Sequence, residues 1–326
     1  MAKAAQISDA EITLIEEQVD TGLQAALDTY QPLHVLGAEK KDELLGRFTL
    51  YPSRSLPEFD HAYAKAFEAR DEFNHTRSVY AMVCDNNIPY RQVAVNELNG
   101  FVHNHLTTLL GSGTVLCSHL GEARTVMFIE RPRGTRLSES IKTQVRLHEH
   151  KVIDFVLQPA IKALIAMREK KVSHGHIHPN NFFISDTPQL GECFSAPCGT
   201  QGHYLYEPLE RLLADPLGRG EANEKSDVYA LGILAFELMY GLEKIKAMPR
   251  ETFIDRSINI GTYHLFATNR EFSDTFNDFF RGILNENPSE RWGLEQLTQW
   301  IGGKRFNMIA PSAPKEASRP IEFVGQ

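Results

Sequence analysis

The chain has 326 residues, 42% hydrophobic and 23% charged, which suffices for one large domain or two modest ones around a sizeable core. A net charge of -8 with no Lys/Arg-rich run argues against a nucleic-acid partner or an anionic membrane surface. The four cysteines (Cys84, Cys117, Cys193, Cys198) form no C-x-x-C pair, no stretch reaches membrane-spanning length, and the polar N-terminus lacks a signal-peptide core, so a reduced, cytoplasmic protein is expected.

"SDAEITLIEEQVDTGLQAALDTY" opens with a capping box, Ser8 to Glu11, and repeats apolar residues at helical spacing. It predicts an amphipathic helix over 8–30, within an N-terminal helical extension covering 1–47. From Phe48 to about Glu130 the pattern is mixed. "SVYAMVCD" (78–85) and "TVMFIE" (125–130) read as strands and "TVLCSHL" (114–120) as a third. Between them "RQVAVNELNGFVHNHLTTLLG" reads as a helix ending at Gly111, with "GSG" (111–113) as the turn that stops it.

Beyond "RPRGTRLSES" the text turns helical. Residues 146–170 gather Val152, Ile153, Val156, Leu157, Ile161, Leu164 and Ile165 on one broad face. "SDVYALGILAFELMYG" (226–241) is apolar on nearly every side, the mark of a helix buried in a core. "FSDTFNDFFRGIL" and "GLEQLTQWI" supply two more helices around "NENPSERW". The Pro/Ala/Ser-rich segment 304–326 reads as a flexible C-terminal tail or linker.

The second half also carries an ordered set of short motifs. "HGHIHPNN" follows the first long helix and precedes the strand-like "FFIS". Next come "QLGECF" (189–194), "YLYEPLER", "SDVYALG" and "NENPSERW". In that order they resemble the catalytic loop, D-F-G segment, activation-segment end, central buried helix and D-P-x-x-R turn of protein kinases. Gly175 and His178 echo the catalytic loop of small-molecule kinases of the aminoglycoside type. The resemblance covers roughly 48–303. It implies an α+β, bilobal protein-kinase-like fold, with a β-rich N-lobe over 48–131 and a helical C-lobe over 132–303. By the same resemblance Glu210 and Arg291 form an anchoring ion pair, Asp227 accepts hydrogen bonds from the catalytic-loop backbone, and His174 packs beneath that loop.

Against this pattern the catalytic residues are degenerate. Phosphoryl transfer relies on positioning and on charge placed around the phosphates. No glycine occurs between Gly46 and Gly100, where a phosphate-wrapping loop belongs; "LYPSRSLPEFD" stands there instead. No lysine occurs between Lys65 and Lys142, and Val83 or Cys84 takes the place of the strand lysine. Glu97 is either that lysine's old partner or a solvent-exposed charge, and Arg77 or Arg91 are poor stand-ins for a point charge. His176 replaces the catalytic aspartate, Glu192 the D-F-G aspartate, and Gly175 the arginine that binds an activation-loop phosphate.

The expectation is a pseudokinase that acts as a protein-binding, scaffolding or regulatory signalling module with protein partners of unspecified identity. No catalytic residue is expected. His174, His176, His178 and Asn181 form a degenerate loop, and Asn181 and Glu192 are relic metal positions that leave room only for weak magnesium–ATP binding. Two alternatives stay open. One is an atypical phosphoryl or nucleotidyl transferase, with Asn181 and Glu192 holding metal and His176 as base. The other is a zinc-type site at His174, His176 and His178.

Overall fold

The computed structural model describes residues 42–311 except 45, 143–145, 201 and 268–270. The helix predicted over 8–30 therefore lies outside the described residues.

A six-stranded antiparallel sheet forms the first lobe, built from β1 (Asp42–Leu44), β2 (Phe48–Ser55), β3 (Ala64–Asp71), β4 (Ser78–Cys84), β5 (Leu109–Cys117) and β6 (Glu122–Glu130). Their spatial order is β1-β2-β3-β4-β6-β5. Alternation along β4 sorts the sheet's two faces. Tyr80, Met82 and Cys84 join the main core, whereas Val79, Ala81 and Val83 join a second cluster on the outer face with Leu44, Phe48, Leu50 and Phe128. Val83 therefore points away from the cleft, which removes it from the lysine position and leaves the inner face to its neighbours.

Three boundaries differ from the sequence reading. The sheet begins at Asp42, since β1 pairs with Phe48–Leu50. The helix α1 (Gln92–Leu98) stops at the Asn99–Gly100 pair, where Gly100 has φ 73°, instead of running to Gly111. The "GSG" is not a turn but the middle of β5. A Cβ on Gly111 would sit 2.8 Å from the Phe48 ring and one on Gly113 2.8 Å from Leu44, so both glycines admit the outer-face cluster. Phe48 in turn stacks on Phe128 at 4.6 Å.

The second lobe follows a connector with β7 (Thr135–Arg136) and α2 (Leu137–Lys142). Next come α3 (Glu149–Val152), a π turn (Ile153–Leu157) and α4 (Gln158–Glu169). Pro159, which lacks an N–H, is the second residue of α4 beyond the π turn, so the widened turn accommodates the missing helix bond. A small sheet of β7, β8 (Phe182–Ile184) and β9 (Gln189–Leu190) floors the cleft. Then come α5 (Leu209–Ala214), α6 (Glu224–Tyr240), α7 (Glu243–Lys246), α8 (Arg250–Ile260), α9 (Thr262–Ala267), α10 (Asp274–Ile283) and α11 (Leu294–Ile301). Every residue of α6 from Ser226 to Met239 is buried, as an all-round apolar sequence requires. This is an α+β architecture of a sheet lobe and a helical lobe.

Residues 304–311 are not a free linker. The Asp278 carboxylate accepts hydrogen bonds from the backbone N–H groups of Phe306, Asn307 and Met308, and the Phe306 ring lies 4.7 Å from Trp292. Residues 312–326 lie outside the described set. Among the described residues no helix is long and apolar enough to cross a membrane.

Candidate functional site

The loop from Val172 to Asn181 leaves α4 and enters β8, which places it between the lobes. Its backbone is fixed from below by Asp227 on α6. The two carboxylate oxygens accept hydrogen bonds from the N–H groups of His174 and Gly175, each at 2.7 Å. Burial pushes the Asp227 pKa up to about 6, against the opposing pull of those two N–H groups. Gly175 has φ 73°, and a Cβ there would meet Cys198 Sγ at 2.3 Å, so both conformation and space demand glycine.

The three histidines turn to separate partners. His174 Nε2 donates to the Gly191 carbonyl at 3.2 Å beneath the loop. His176 is 1% exposed and its Nε2 donates to the Pro197 carbonyl at 2.9 Å, leaving Nδ1 buried without a partner. His178 packs edge-on to Tyr206 and its Nε2 is buried without a partner. Burial lowers their pKa values to about 3, about 4 and about 3, so all three are neutral at pH 7. Among the described residues no three His, Cys, Asp or Glu side chains converge as a metal site would require.

Asn181 and Glu192 do come together, but bonded into the fold. The Asn181 amide donates to the carbonyls of His176 and Glu192, at 2.9 and 2.8 Å. Gly191 makes that approach feasible, since a Cβ there would lie 1.9 Å from Asn181 Oδ1. Glu192 Oε2 accepts from Phe194 N–H at 2.9 Å and Ser195 N–H at 3.1 Å, and Oε1 accepts from Ser195 Oγ at 2.7 Å. His61 reaches the same group from the opposite lobe, with Nε2 3.7 Å from Glu192 Oε1 and 2.8 Å from Ser195 Oγ.

Above the cleft, the β2–β3 connection carries a short 3-10 turn, Pro57–Phe59. Phe59 stacks on Tyr80 of β4 at 4.6 Å and lies 6.0 Å from Phe183 of β8, so an aromatic ring bridges roof and floor. A cavity of about 340 Å³ remains beside it, with His61, Tyr80, Arg136, His178, Asn181 and Glu192 in its walls.

No residue on the cleft face of β4 carries a cation. Glu97 is exposed on α1. Arg77 lies 3.7 Å from Asp71 at the β3–β4 hairpin, away from the cleft. Arg91 is 3% exposed and ties α1 to the helical lobe: it donates to the carbonyls of Ser173, His174 and Cys193 and pairs with Glu221 at 2.6 Å. Neither arginine stands in for the missing lysine. These residues do not fit a magnesium–triphosphate. The carboxylate that would hold the metal is filled by donors of its own turn, and among the described residues no lysine stands in the walls of the cleft cavity.

In the helical lobe, Arg291 donates Nη1 to Glu210 Oε1 at 2.7 Å and Nη2 to Oε2 at 2.9 Å, a bidentate pair, and Nε to the Asn285 carbonyl at 2.8 Å. Sequence reasoning missed Phe59, His61, Tyr80 and Arg136. The one available signal was the proline and aromatic of "LPEFD" where a glycine-rich loop was sought.

The protein kinase domain family model matches residues 90–300. Among curated relatives, an Aurora kinase of Patiria pectinifera is 27% identical over 219 residues, covering 62% of this chain and 49% of that protein. The serine/threonine-protein kinase ULK3 of Xenopus laevis is 23% identical, over 71% of this chain and 50% of its own length. Eukaryotic translation initiation factor 2-alpha kinase 1 of Plasmodium falciparum is 26% identical, over 48% of this chain and 10% of its own length. The chain thus spans half or less of the length of these relatives.

Proposed function

Because this chain belongs to the protein kinase domain family, we propose that it is a pseudokinase, a kinase fold without phosphotransferase activity that serves as a protein-binding or regulatory module in the cytoplasm. The observation that carries this reading is the Glu192 carboxylate, which accepts three hydrogen bonds from Phe194 and Ser195 of its own turn. A metal ligand needs those lone pairs free. Two further features support it. The cleft face of β4 offers Tyr80, Met82 and Cys84 in place of a phosphate-binding cation, and Phe59 bridges roof and floor.

The transferase alternative asks His176 to act as base. Its Nε2 is committed to Pro197 and the ring is 1% exposed, outside the walls of the cleft cavity. A group that cannot reach a substrate hydroxyl cannot take its proton. The recognition surface in this reading is the outer face of the helical lobe, held rigid by α6 and by the Glu210–Arg291 pair, and its partner is a protein.

The test is transfer of labelled γ-phosphate from ATP, with magnesium and with manganese, to the chain itself and to a general protein acceptor. The expected result is no transfer above the level of a Glu192→Ala, Asn181→Ala double variant. Transfer that disappears in that variant would overturn the reading.

A further inference from the structure

Arg91 caps the start of α1 and reaches out of the first lobe with every N–H of its guanidinium in use. Nη1 donates to the carbonyls of His174 and Cys193 at 2.6 and 2.7 Å, and Nη2 to that of Ser173 at 2.8 Å. Nε and Nη2 both donate to Glu221 Oε2, at 3.0 and 2.6 Å. The backbone N–H of Arg91 adds a bond to the Phe194 carbonyl at 2.9 Å. One residue thus joins α1 to the loop that Asp227 holds, to the turn after β9 and to the segment ahead of α6.

The two halves of the ion pair are unequally placed. The Arg91 side chain is 2% exposed and that of Glu221 55%. Three neutral carbonyls alone would leave a buried cation uncompensated, so the carboxylate is what lets the guanidinium stay inside. The Glu221 backbone is itself held in place. Arg211, paired with Glu207 at 2.6 Å, donates to the carbonyls of Gly220 and Glu221, and the Gly220 N–H donates to Asp215. His174, whose carbonyl Arg91 fills, directly precedes Gly175, the residue that replaces a phosphate-binding arginine. A guanidinium from α1 therefore stands against this loop, and the anion it meets is encoded in the chain.

We propose that Arg91 and Glu221 form a permanent interlobe lock, in which a carboxylate of the chain fixes α1 where a switchable fold would add a phosphate. Such a lock does not depend on the pseudokinase reading, since a fixed α1 serves a catalyst and a recognition module alike. Its consequence is a single position of α1 against the helical lobe whatever the phosphorylation state of the chain.

The experiment is a distance measurement between spin labels on the full chain. Val93 on α1 and Ile260 on α8 are exposed, and the four native cysteines are buried, so labels go to Val93→Cys and Ile260→Cys. One narrow distance distribution is expected, unchanged by phosphatase treatment. Glu221→Ala should replace the single peak with a broad or two-peaked distribution well below the melting temperature, and Glu221→Gln should do so to a smaller extent. A role in stability alone would lower the melting temperature and leave the distribution narrow. That result in both Glu221 variants would overturn the lock. So would two distances in the otherwise unaltered chain, or a distribution that shifts on phosphatase treatment, since a phosphate would then be setting α1. Should Glu221→Ala fail to fold, Glu221→Gln, which keeps the size and one acceptor oxygen, still decides.

Discussion

In the helical lobe, Arg291 and Glu210 meet as a bidentate pair, and Asp227 fills both oxygens with backbone donors from the loop above it. In the cleft, Glu192 also has its oxygens filled, but by its own turn, while the Arg136 Nε finds no partner among the described residues. The two regions therefore spend charge differently. Charges of the first kind hold segments distant in sequence, and a protein that needs only its shape keeps them. Charges of the second kind would have to stay open for a ligand's phosphates and metal, and here they are closed or missing.

That contrast can be broken at several points. The largest effect is expected from Glu210→Ala, which leaves the guanidinium of Arg291, a side chain with 0% exposure, without its carboxylate. Urea denaturation should show a loss of roughly 3–5 kcal/mol. A loss below about 1 kcal/mol would mean the pair is ornamental, as exposed pairs often are.

Acid should attack the loop next. His174, His176 and His178 have folded pKa values of about 3, 4 and 3, below the ordinary 6.5, so the unfolded chain takes up protons that the folded one refuses. Their contribution is complete above pH 6.5 and is lost as pH falls from there toward 4. Asp227 works the other way. Its folded pKa of about 6 exceeds the ordinary 3.8, so its burial penalty is relieved as pH falls through 6. Three histidines outweigh one aspartate, so among these four groups the net effect is a loss of stability as pH falls from 6 to 4. His178→Phe should lower the slope of that loss by about one proton. A flat profile would show that the imidazoles are not buried.

Asp227→Ala strips the acceptor from two N–H groups and should cost about 2 kcal/mol, with faster amide exchange at His174 and Gly175. Phe59→Ala should be mildest, about 1 kcal/mol, because the ring is only half-buried. It sharpens the comparison nonetheless. If opening the roof alone admitted magnesium–ATP, Phe59 rather than Glu192 would be the barrier.

The helical lobe was legible in the sequence because its signals are local. The periodicities behind α6, α10 and α11 and the order of the motifs survive without knowledge of distant contacts. The absence of glycine and lysine was legible for a related reason, since a missing residue type over a long span needs no alignment. The sheet lobe was read less well. Leu109 and Leu110 fit a helix as readily as a strand, and Gly111 and Gly113 make sense only beneath Phe48 and Leu44, more than sixty residues away. The cleft was hardest. Arg91 acquires its role through Glu221, 130 residues later, and Phe59 through Phe183. Residues 304–311 dock through the Asp278 carboxylate, through Arg281, which donates to the Met308 carbonyl, and through Trp292 against Phe306, partners that no pattern in the tail announces.

We propose that this cleft does not hold a metal-bound triphosphate. Calorimetric titration of the intact chain with magnesium–ATP tests it most directly, repeated on the Asn181→Ala and Glu192→Ala variants. The account predicts no saturable heat in any of the three. Saturable binding by the unaltered chain that vanishes in either variant would contradict it.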